Sequence, residues 1–181
     1  TQFMLELGKD MQIDSIIAEG VRLAFTRDGD FKVNLFYEKG MKKDQLYTFT
    51  IYYQGAPASG GLGSFIKDNH SGVPVIWTLS EPFGARDWWP CKNGLTDKID
   101  SIDVIITTPS AYKAASNGVL VNEVANADTT TTFHWQHRYA IAPYLVAIAV
   151  TNYERYTDMV PLSDGTQLPM VNYVYPENLN D

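Results

Sequence analysis

Residues 21–38 read Val-Arg-Leu-Ala-Phe-Thr-Arg-Asp-Gly-Asp-Phe-Lys-Val-Asn-Leu-Phe-Tyr-Glu, and this stretch decides the fold class. On both sides of Asp28-Gly29-Asp30, apolar residues recur at every second position, which is typical of half-buried β-strands. An Asp-Gly pair between two alternating runs is a strong short-range signal for a β-hairpin. The stretch therefore predicts two antiparallel strands joined by a tight turn.

The same alternation continues outward from this hairpin in both directions. No amphipathic helix of about 12 residues emerges, and a short turn near Ser110–Ala115 is the best helical candidate. Asp164-Gly165 predicts a second hairpin tip. Many short strands of this kind predict an all-β domain, an antiparallel sandwich or broad curved sheet with little helix. Further strands are predicted at 3–7, 11–14, 47–53, 73–79, 99–107, 118–124, 129–137, 143–156 and 166–174.

Two segments depart from the alternating pattern. The Gly-rich residues between 55 and 72 predict an irregular loop, either a plain surface loop or one that reaches toward a ligand. The run 144–150 is apolar at every position, which favours a central, fully covered strand, with a buried helix as the alternative. We expect residues 1–175 to form one domain and 176–181 to begin a linker toward a further domain.

Charge and cysteine content exclude several classes of function. The chain of 181 residues has 14 Lys and Arg against 21 Asp and Glu, and it lacks a basic run, which excludes a nucleic-acid footprint. No apolar stretch is long enough to span a bilayer. With Cys91 alone, neither an internal disulfide nor a cysteine-based zinc site can form. We expect a soluble protein, but its compartment, cytoplasmic or periplasmic and secreted, stays open.

The chain shows no recognisable catalytic machinery of its own. His134 and His137 lie three apart in an alternating run, so they point to opposite faces of a strand and do not predict a shared zinc site. A His-Glu-x-x-His pattern and a Gly-x-Ser-x-Gly pattern are both absent from the sequence. Cys91, next to Pro90, is interpreted as a small packed apolar residue. The sequence therefore predicts no catalytic residue and no metal ligand in this chain.

The most informative segment is WTLSEPFGARDWWPC, residues 77–91, which combines acids, an arginine and three tryptophans between two strands. Two prolines stiffen its backbone. One interpretation is structural, with Arg86 in a salt bridge to Glu81 or Asp87. The other is functional, with Glu81 held on a rigid loop to receive a cationic ligand group.

This segment resembles the N-terminal domain of the gluzincin zinc aminopeptidases of the aminopeptidase N and leukotriene-hydrolase type. That family carries a Thr-Gln-x-Glu-Pro-x-x-Ala-Arg-x-x-x-Pro-Cys-x-Asp stretch, followed by Pro and Lys. The stretches 52–57, 106–109, 115–118, 132–135 and 142–147 are also similar to the family, so the likeness covers nearly the whole chain. The residues that match the main stretch in order and spacing are Thr78, Glu81, Pro82, Ala85, Arg86, Pro90, Cys91 and Lys98.

The resemblance implies a saddle-like β domain that packs on a separate, thermolysin-like catalytic domain. Zinc and all of its ligands would belong to that domain, outside this chain, so this chain alone would be inactive. Glu81 matches the family glutamate that helps to bind the free α-amine of a peptide substrate. The implied partners are therefore the N-terminus of a peptide and the protein's own catalytic domain.

Two positions depart from the family pattern. Leu79 stands where the family has Gln, and we hypothesise that it lines the first specificity subsite in place of a polar contact. Asn93 stands where the family has Asp, and Asn93-Gly94 is typical of a tight turn, so this change is interpreted as structural. Two other functions stay open: a stand-alone β-sandwich module that binds carbohydrate on its Trp-rich loop, and a structural domain of an inactive homologue.

Overall fold

The computed structural model describes residues 1–58 and 64–180, and it confirms the all-β prediction. These residues form antiparallel sheets and only three short 3-10 helices. None of their helices is long and apolar enough to cross a membrane. The chain divides into two compact units. The first contains residues within 1–66, 78–101 and 139–147, and the second contains 67–77, 102–138 and the residues from 148 onward.

The first unit is built from two three-stranded sheets, in the orders β1-β5-β4 and β3-β2-β6. Alternate residues of both sheets are buried in one core, because one face of each strand turns inward. Its fully buried members include Leu7, Ile16 and Leu35. The strands are β1 (Gln2–Glu6), β2 (Met11–Ala18), β3 (Val21–Arg22), β4 (Ala24–Asp28), β5 (Lys32–Phe36) and β6 (Phe49–Gly55).

The predicted first hairpin is confirmed. β4 and β5 pair antiparallel, with Phe25 opposite Leu35. Gly29 lies at the turn with a φ of 61°, in the left-handed region that glycine adopts without steric cost. The Asp-Gly signal therefore identified the hairpin and its turn.

The second unit contains three sheets, in the orders β10-β13-β8-β7, β11-β12-β9 and β14-β15. Its core forms around Phe133 and Trp135, and the indole N–H of Trp135 donates to the Ala114 carbonyl at 3.0 Å. The strands are β7 (Phe65–His70), β8 (Val73–Thr78), β9 (Ile102–Pro109), β10 (Lys113–Ser116), β11 (Val119–Ala125), β12 (Thr130–His137), β13 (Ile148–Thr151), β14 (Glu154–Pro161) and β15 (Gln167–Val174).

The second predicted hairpin, β14–β15, is also confirmed, with Gly165 at its tip at a φ of 84°. Asp164 accepts hydrogen bonds from the backbone N–H and the hydroxyl of Thr166, which fixes the turn. Every residue from Glu154 to Val171 is exposed, so neither face of this two-stranded sheet is covered over that length.

Three predictions of local structure were wrong. The loop predicted for 55–72 contains β7, while residues 59–63 of that stretch lie outside the described residues. The covered strand predicted for 144–150 is instead a 3-10 helix, Pro143–Leu145, followed by β13. Pro143 has no N–H for a ladder and its fixed φ starts a tight turn, which explains the difference. The candidate helical turn near Ser110–Ala115 runs into β10. The linker predicted for 176–181 stays a prediction, and Pro176–Asn178 within it form a 3-10 helix.

Candidate functional site

The segment that follows β8 folds back on itself around a 3-10 helix, Gly84–Asp87. The N–H of Gly84 donates to the Ser80 carbonyl at 2.8 Å, and the N–H of Trp89 donates to the Ala85 carbonyl at 3.1 Å. The segment ends at Cys91, which exchanges two backbone hydrogen bonds with Glu6 of β1. Thr78–Cys91 is therefore a closed loop tied to the first sheet, and we call it the anchored loop.

Buried polar contacts hold the residues on both sides of Glu81. Ser80 is 3% exposed, and its hydroxyl accepts a hydrogen bond from the Trp88 indole N–H at 2.9 Å. The N–H of Leu79 donates to the Ser64 carbonyl at 3.2 Å, and the Ser64 hydroxyl donates to the carboxylate of Asp87. A Cβ on Gly84 would lie 2.1 Å from that same hydroxyl oxygen, so the loop has room only for glycine there.

Arg86 is the cation of the anchored loop, and it does not pair with Glu81. Its guanidinium lies 2.7 Å from the Glu6 carboxylate and 3.8 Å from the centre of the Phe31 ring. The interpretation that Arg86 forms a salt bridge to Glu81 or Asp87 was therefore wrong. Arg86 instead fastens the loop to the first sheet.

Glu81, within the anchored loop, is exposed. Within the described residues, its carboxylate has neither a hydrogen bond nor an ion pair. Its sequence neighbours Leu79 and Phe83 expose 45% and 50% of their surface. Glu81 thus carries an exposed carboxylate in a segment that also exposes two apolar side chains, and buried groups hold the backbone of that segment in place. Chemically, such a carboxylate can accept hydrogen bonds from a cation, most strongly where water is excluded.

Sequence reasoning missed two contributors, Phe83 and Glu6. Asn93 connects them, because its side-chain amide donates to the Phe83 carbonyl at 3.0 Å and to the Glu6 carboxylate at 3.2 Å. Asn93 is buried, with a φ of 50°, and its hydrogen bonds agree with the interpretation of this position as structural. The tight turn expected at Asn93-Gly94 is not seen, since residues 92–94 are irregular. The amide can donate to Glu6 where an aspartate would place two carboxylates together. No sequence signal joins Glu6 to this site, since the two segments are about 80 residues apart.

Cys91 is not a nucleophile. It is 4% exposed, and burial raises the pKa of its thiol to about 12. The reactive species of cysteine is the thiolate, which at this pKa is scarce near neutral pH. The interpretation of Cys91 as a packed apolar residue is confirmed.

The histidines are engaged at separate places. His134 lies 2.7 Å from the Asp103 carboxylate, which also pairs with Arg138 at 2.9 Å. The hydrogen bonds from Arg138 and His134 lower the pKa of Asp103. His70 contacts Glu177 and stacks on Tyr175 with 3.6 Å between ring centres. Across residues 1–58 and 64–180, no cluster of three or more His, Cys, Asp or Glu side chains is placed to hold a metal ion.

The family model of the peptidase M1 N-terminal domain matches residues 5–145, which is most of the chain. The chain belongs to this family. A curated relative, human glutamyl aminopeptidase, is 28% identical to the M1 domain over 138 residues, which are 74% of this chain and 14% of the relative. The anchored loop and both cores fall within or beside the matched range.

Solved structures share the fold of this M1 domain. An M1 zinc metallopeptidase from Deinococcus radiodurans aligns with a TM-score of 0.80 at 21% identity, covering 94% of this chain and 38% of that chain. A structure of a mutant of the Deinococcus enzyme with a bound Tyr-Ser-Ala substrate gives 0.82 at 19% identity, with 98% and 43% covered. Legionella pneumophila aminopeptidase A in complex with aspartic acid gives 0.77 at 18%, with 97% and 20% covered. The M1 domain thus spans less than half the length of each of these proteins.

The Deinococcus relative is a zinc metallopeptidase, but the described residues of this M1 domain do not fit zinc. A catalytic zinc needs three protein ligands around an open position. His134 and Asp103 form a pair that is already engaged by Arg138, and His70 with Glu177 offers two groups only. The described part of the domain therefore supplies no zinc ligand set.

Proposed function

We propose that this domain supplies the carboxylate of Glu81 to bind the free α-amine of a peptide in a zinc aminopeptidase. A catalytic domain of the same polypeptide completes the site and holds the zinc. The relatives support the second domain, since each is more than twice as long as the matched part, and one is described as a two-domain M1 zinc metallopeptidase of which this chain covers 39%.

The observation that carries the proposal is that Glu81 exposes its carboxylate next to a backbone held by buried contacts. Glu81 is exposed, but its backbone follows Ser80, which is buried and hydrogen-bonded to the Trp88 indole. A backbone that is already held in place loses little conformational entropy when a ligand binds, and this is the basis of preorganised recognition. An ammonium group matches the Glu81 carboxylate in charge and in hydrogen-bond direction.

The flanking side chains add a second reason. Leu79 and Phe83, two residues before and two residues after Glu81 in the sequence, are apolar and exposed. When a peptide and a catalytic domain cover them, water leaves the site and the attraction between carboxylate and ammonium grows. Binding the amine in this way fixes the first residue of the peptide and restricts the enzyme to cleavage at the N-terminus.

The carbohydrate-binding alternative has limited support, because Trp77 and Phe83 expose 37% and 50% of their surface but the other two tryptophans of the segment are not exposed. Trp88 and Trp89 are both half-buried. The Trp88 indole lies 6.2 Å from the Phe65 ring and donates to Ser80, so it serves the packing of the loop. A sugar-binding platform needs exposed aromatic faces.

The test is Glu81→Gln in the full-length protein that contains this domain, assayed on aminoacyl anilides. Glutamine keeps the shape and removes the charge, so kcat/KM should fall by about 10- to 100-fold, the value of one charge-assisted hydrogen bond. Glu38→Gln, on an exposed glutamate of the same unit, is the matched control and should leave kcat/KM unchanged. Equal activity of both variants would remove Glu81 from the site. A wild-type protein with no peptidase activity would identify an inactive homologue.

A further inference from the structure

The hairpin β14–β15 has an unusual surface over Tyr156–Val171, which we call the distal arm. Residues opposite each other in its ladder share a face, so one face carries Val160, Leu168 and Met170, and the other carries Met159 and Val171. Each of these side chains exposes between 37% and 55% of its surface. Exposed apolar groups on both faces mark an interaction site rather than an ordinary solvated hairpin.

Only the base of this hairpin is packed within its own unit. Tyr173 joins the second core and lies 5.9 Å from the Trp135 ring, and Arg155 pairs with Glu123 at 3.3 Å. The distal arm beyond this base consists of two strands with no third strand. Two strands alone are marginally stable in water. The arm therefore needs an occupant to cover it.

Proline positions disfavour strand addition at the arm's edges. The N–H of Leu162 donates to the Thr166 carbonyl at 2.8 Å, so these two residues form a hydrogen-bonded pair. Bonded and non-bonded pairs alternate along an antiparallel ladder, so the pairs that contain Pro161 and Pro169 direct their nitrogens outward. Each outer edge thus lacks one N–H that an added strand would need. The occupant must contact the faces of the arm.

The charge of the distal arm narrows the class of occupant. It contains Asp158 and Asp164 and no Lys, Arg or His. Anionic lipid headgroups and nucleic acids would be repelled, because both attract cations. Apolar groups on two faces also exclude a flat partner, which could cover one face only. The remaining class is a protein surface with a cleft.

We propose that the distal arm inserts into a cleft of the catalytic domain of the same polypeptide and is covered there on both faces. This inference rests on the proposed function for the existence of that domain. It assigns the contact between the domains to Tyr156–Val171 and gives the prolines a role, since they keep the uncovered arm from pairing with other strands before it docks.

The test compares amide hydrogen exchange of the arm in the 181-residue chain and in the full-length protein. In the chain alone, the arm's amides should exchange rapidly, because local opening is easy where few apolar contacts form. In the full-length protein they should exchange about 100-fold more slowly. Protection that appears in the chain alone and rises with its concentration would assign the arm to a second copy and overturn the proposal.

A variant pair in the full-length protein completes the test. Leu168→Asp places a charge on the covered face and should return fast exchange to the arm, whereas Leu46→Asp, at a residue that is 97% exposed in the other unit, should not. Persistent protection in Leu168→Asp, or equally fast exchange of the arm in the wild-type full-length protein, would overturn the docking. Since the effect of Glu81→Gln on kcat/KM is measured separately, docking and amine binding can fail independently.

Discussion

The anchored loop and the distal arm are both exposed, but the structure beneath them differs. Three contacts hold the loop that carries Glu81. Ser80 is buried, the Trp88 indole donates a hydrogen bond to it, and Arg86 forms an ion pair with Glu6. Under the distal arm, between Tyr156 and Val171, the described residues supply no third strand and no core. One region displays a polar group on a fixed support, and the other displays apolar groups without support.

The difference separates two kinds of surface. The backbone of the anchored loop keeps its position before any ligand arrives, because contacts within this chain hold it. The distal arm exposes its apolar side chains, so we expect its conformation to become stable only when another surface covers them. The comparison predicts that damage to the loop's support is costly in the isolated chain, whereas changes in the arm are costly only in the full-length protein.

The largest effect is expected for Gly84→Ala in the anchored loop. The added Cβ would lie 2.1 Å from the Ser64 hydroxyl oxygen and 2.9 Å from the Ser64 Cβ, so the loop must shift. We expect a loss of about 3 kcal/mol in the free energy of unfolding, at the upper end of ordinary overpacking, measured by urea titration of the chain.

Gly94→Ala is the matched control for that substitution. Its added Cβ would meet nothing closer than 3.8 Å, which is ordinary van der Waals contact. It should change the free energy of unfolding by less than about 0.5 kcal/mol. Equal destabilisation by the two alanines would show that the loop is not held through Ser64.

A smaller loss is expected for Arg86→Met. The variant keeps most of the apolar stem but leaves the half-buried Glu6 carboxylate with the Asn93 amide as its remaining partner. We expect the free energy of unfolding to fall by about 2 kcal/mol. Lys9→Met, which removes an ion pair to Asp30 with both partners 61% exposed, should have almost no effect. A neutral Arg86→Met would mean that the ion pair does not hold the loop.

The pH dependence of stability tests the burial of Cys91. The pKa of the thiol is about 12 in the folded protein and about 8.5 in the unfolded chain. The buried neutral thiol therefore makes its full contribution to the free energy of unfolding below about pH 8.5, and this contribution is lost as the pH rises toward about 12. The loss should approach about 1.4 kcal/mol per pH unit in that window. Cys91→Ala should lack this component when both proteins are unfolded in urea at pH 8 and pH 10. Identical slopes would place the thiol in contact with solvent.

The smallest effect is expected in the distal arm of the isolated chain. Met159→Ser or Val171→Ser replaces an apolar group that is 55% or 46% exposed, so little burial is lost. We expect changes below about 0.5 kcal/mol in the free energy of unfolding. A loss as large as that of Arg86→Met would show that the arm is packed in the isolated chain, and the contrast between the two regions would disappear.

Much of the fold could be predicted because its turns carry strong local signals. Asp28-Gly29 and Asp164-Gly165 identified their hairpins from the sequence alone. β7 was missed because Phe65–His70 has no alternation and follows a Gly-rich stretch. The turn that ends it, Ser71-Gly72, has two residues with positive φ, and this Ser-Gly pair was the available signal.

The sequence pointed to Glu81 as the central residue of the candidate site but did not predict its support. Glu81 was proposed from a motif whose residues are close together in sequence. The partners of Arg86 and Asn93 were not found, because both meet at Glu6, and only the folded sheet brings β1 against Cys91. The exposure of the distal arm could not be predicted for a different reason. An alternating apolar pattern is the same in a strand whose apolar face is covered and in one whose apolar face is exposed.

The central claim is that Glu81 recognises the free amine of a peptide. The most direct measurement is a thermodynamic cycle in the full-length protein, with inhibition constants of a short peptide analogue and its desamino form against the wild type and Glu81→Gln. We predict that the wild type binds the amine-bearing form at least about 10-fold more tightly, and that Glu81→Gln loses most of this preference. An undiminished preference in Glu81→Gln would contradict the account.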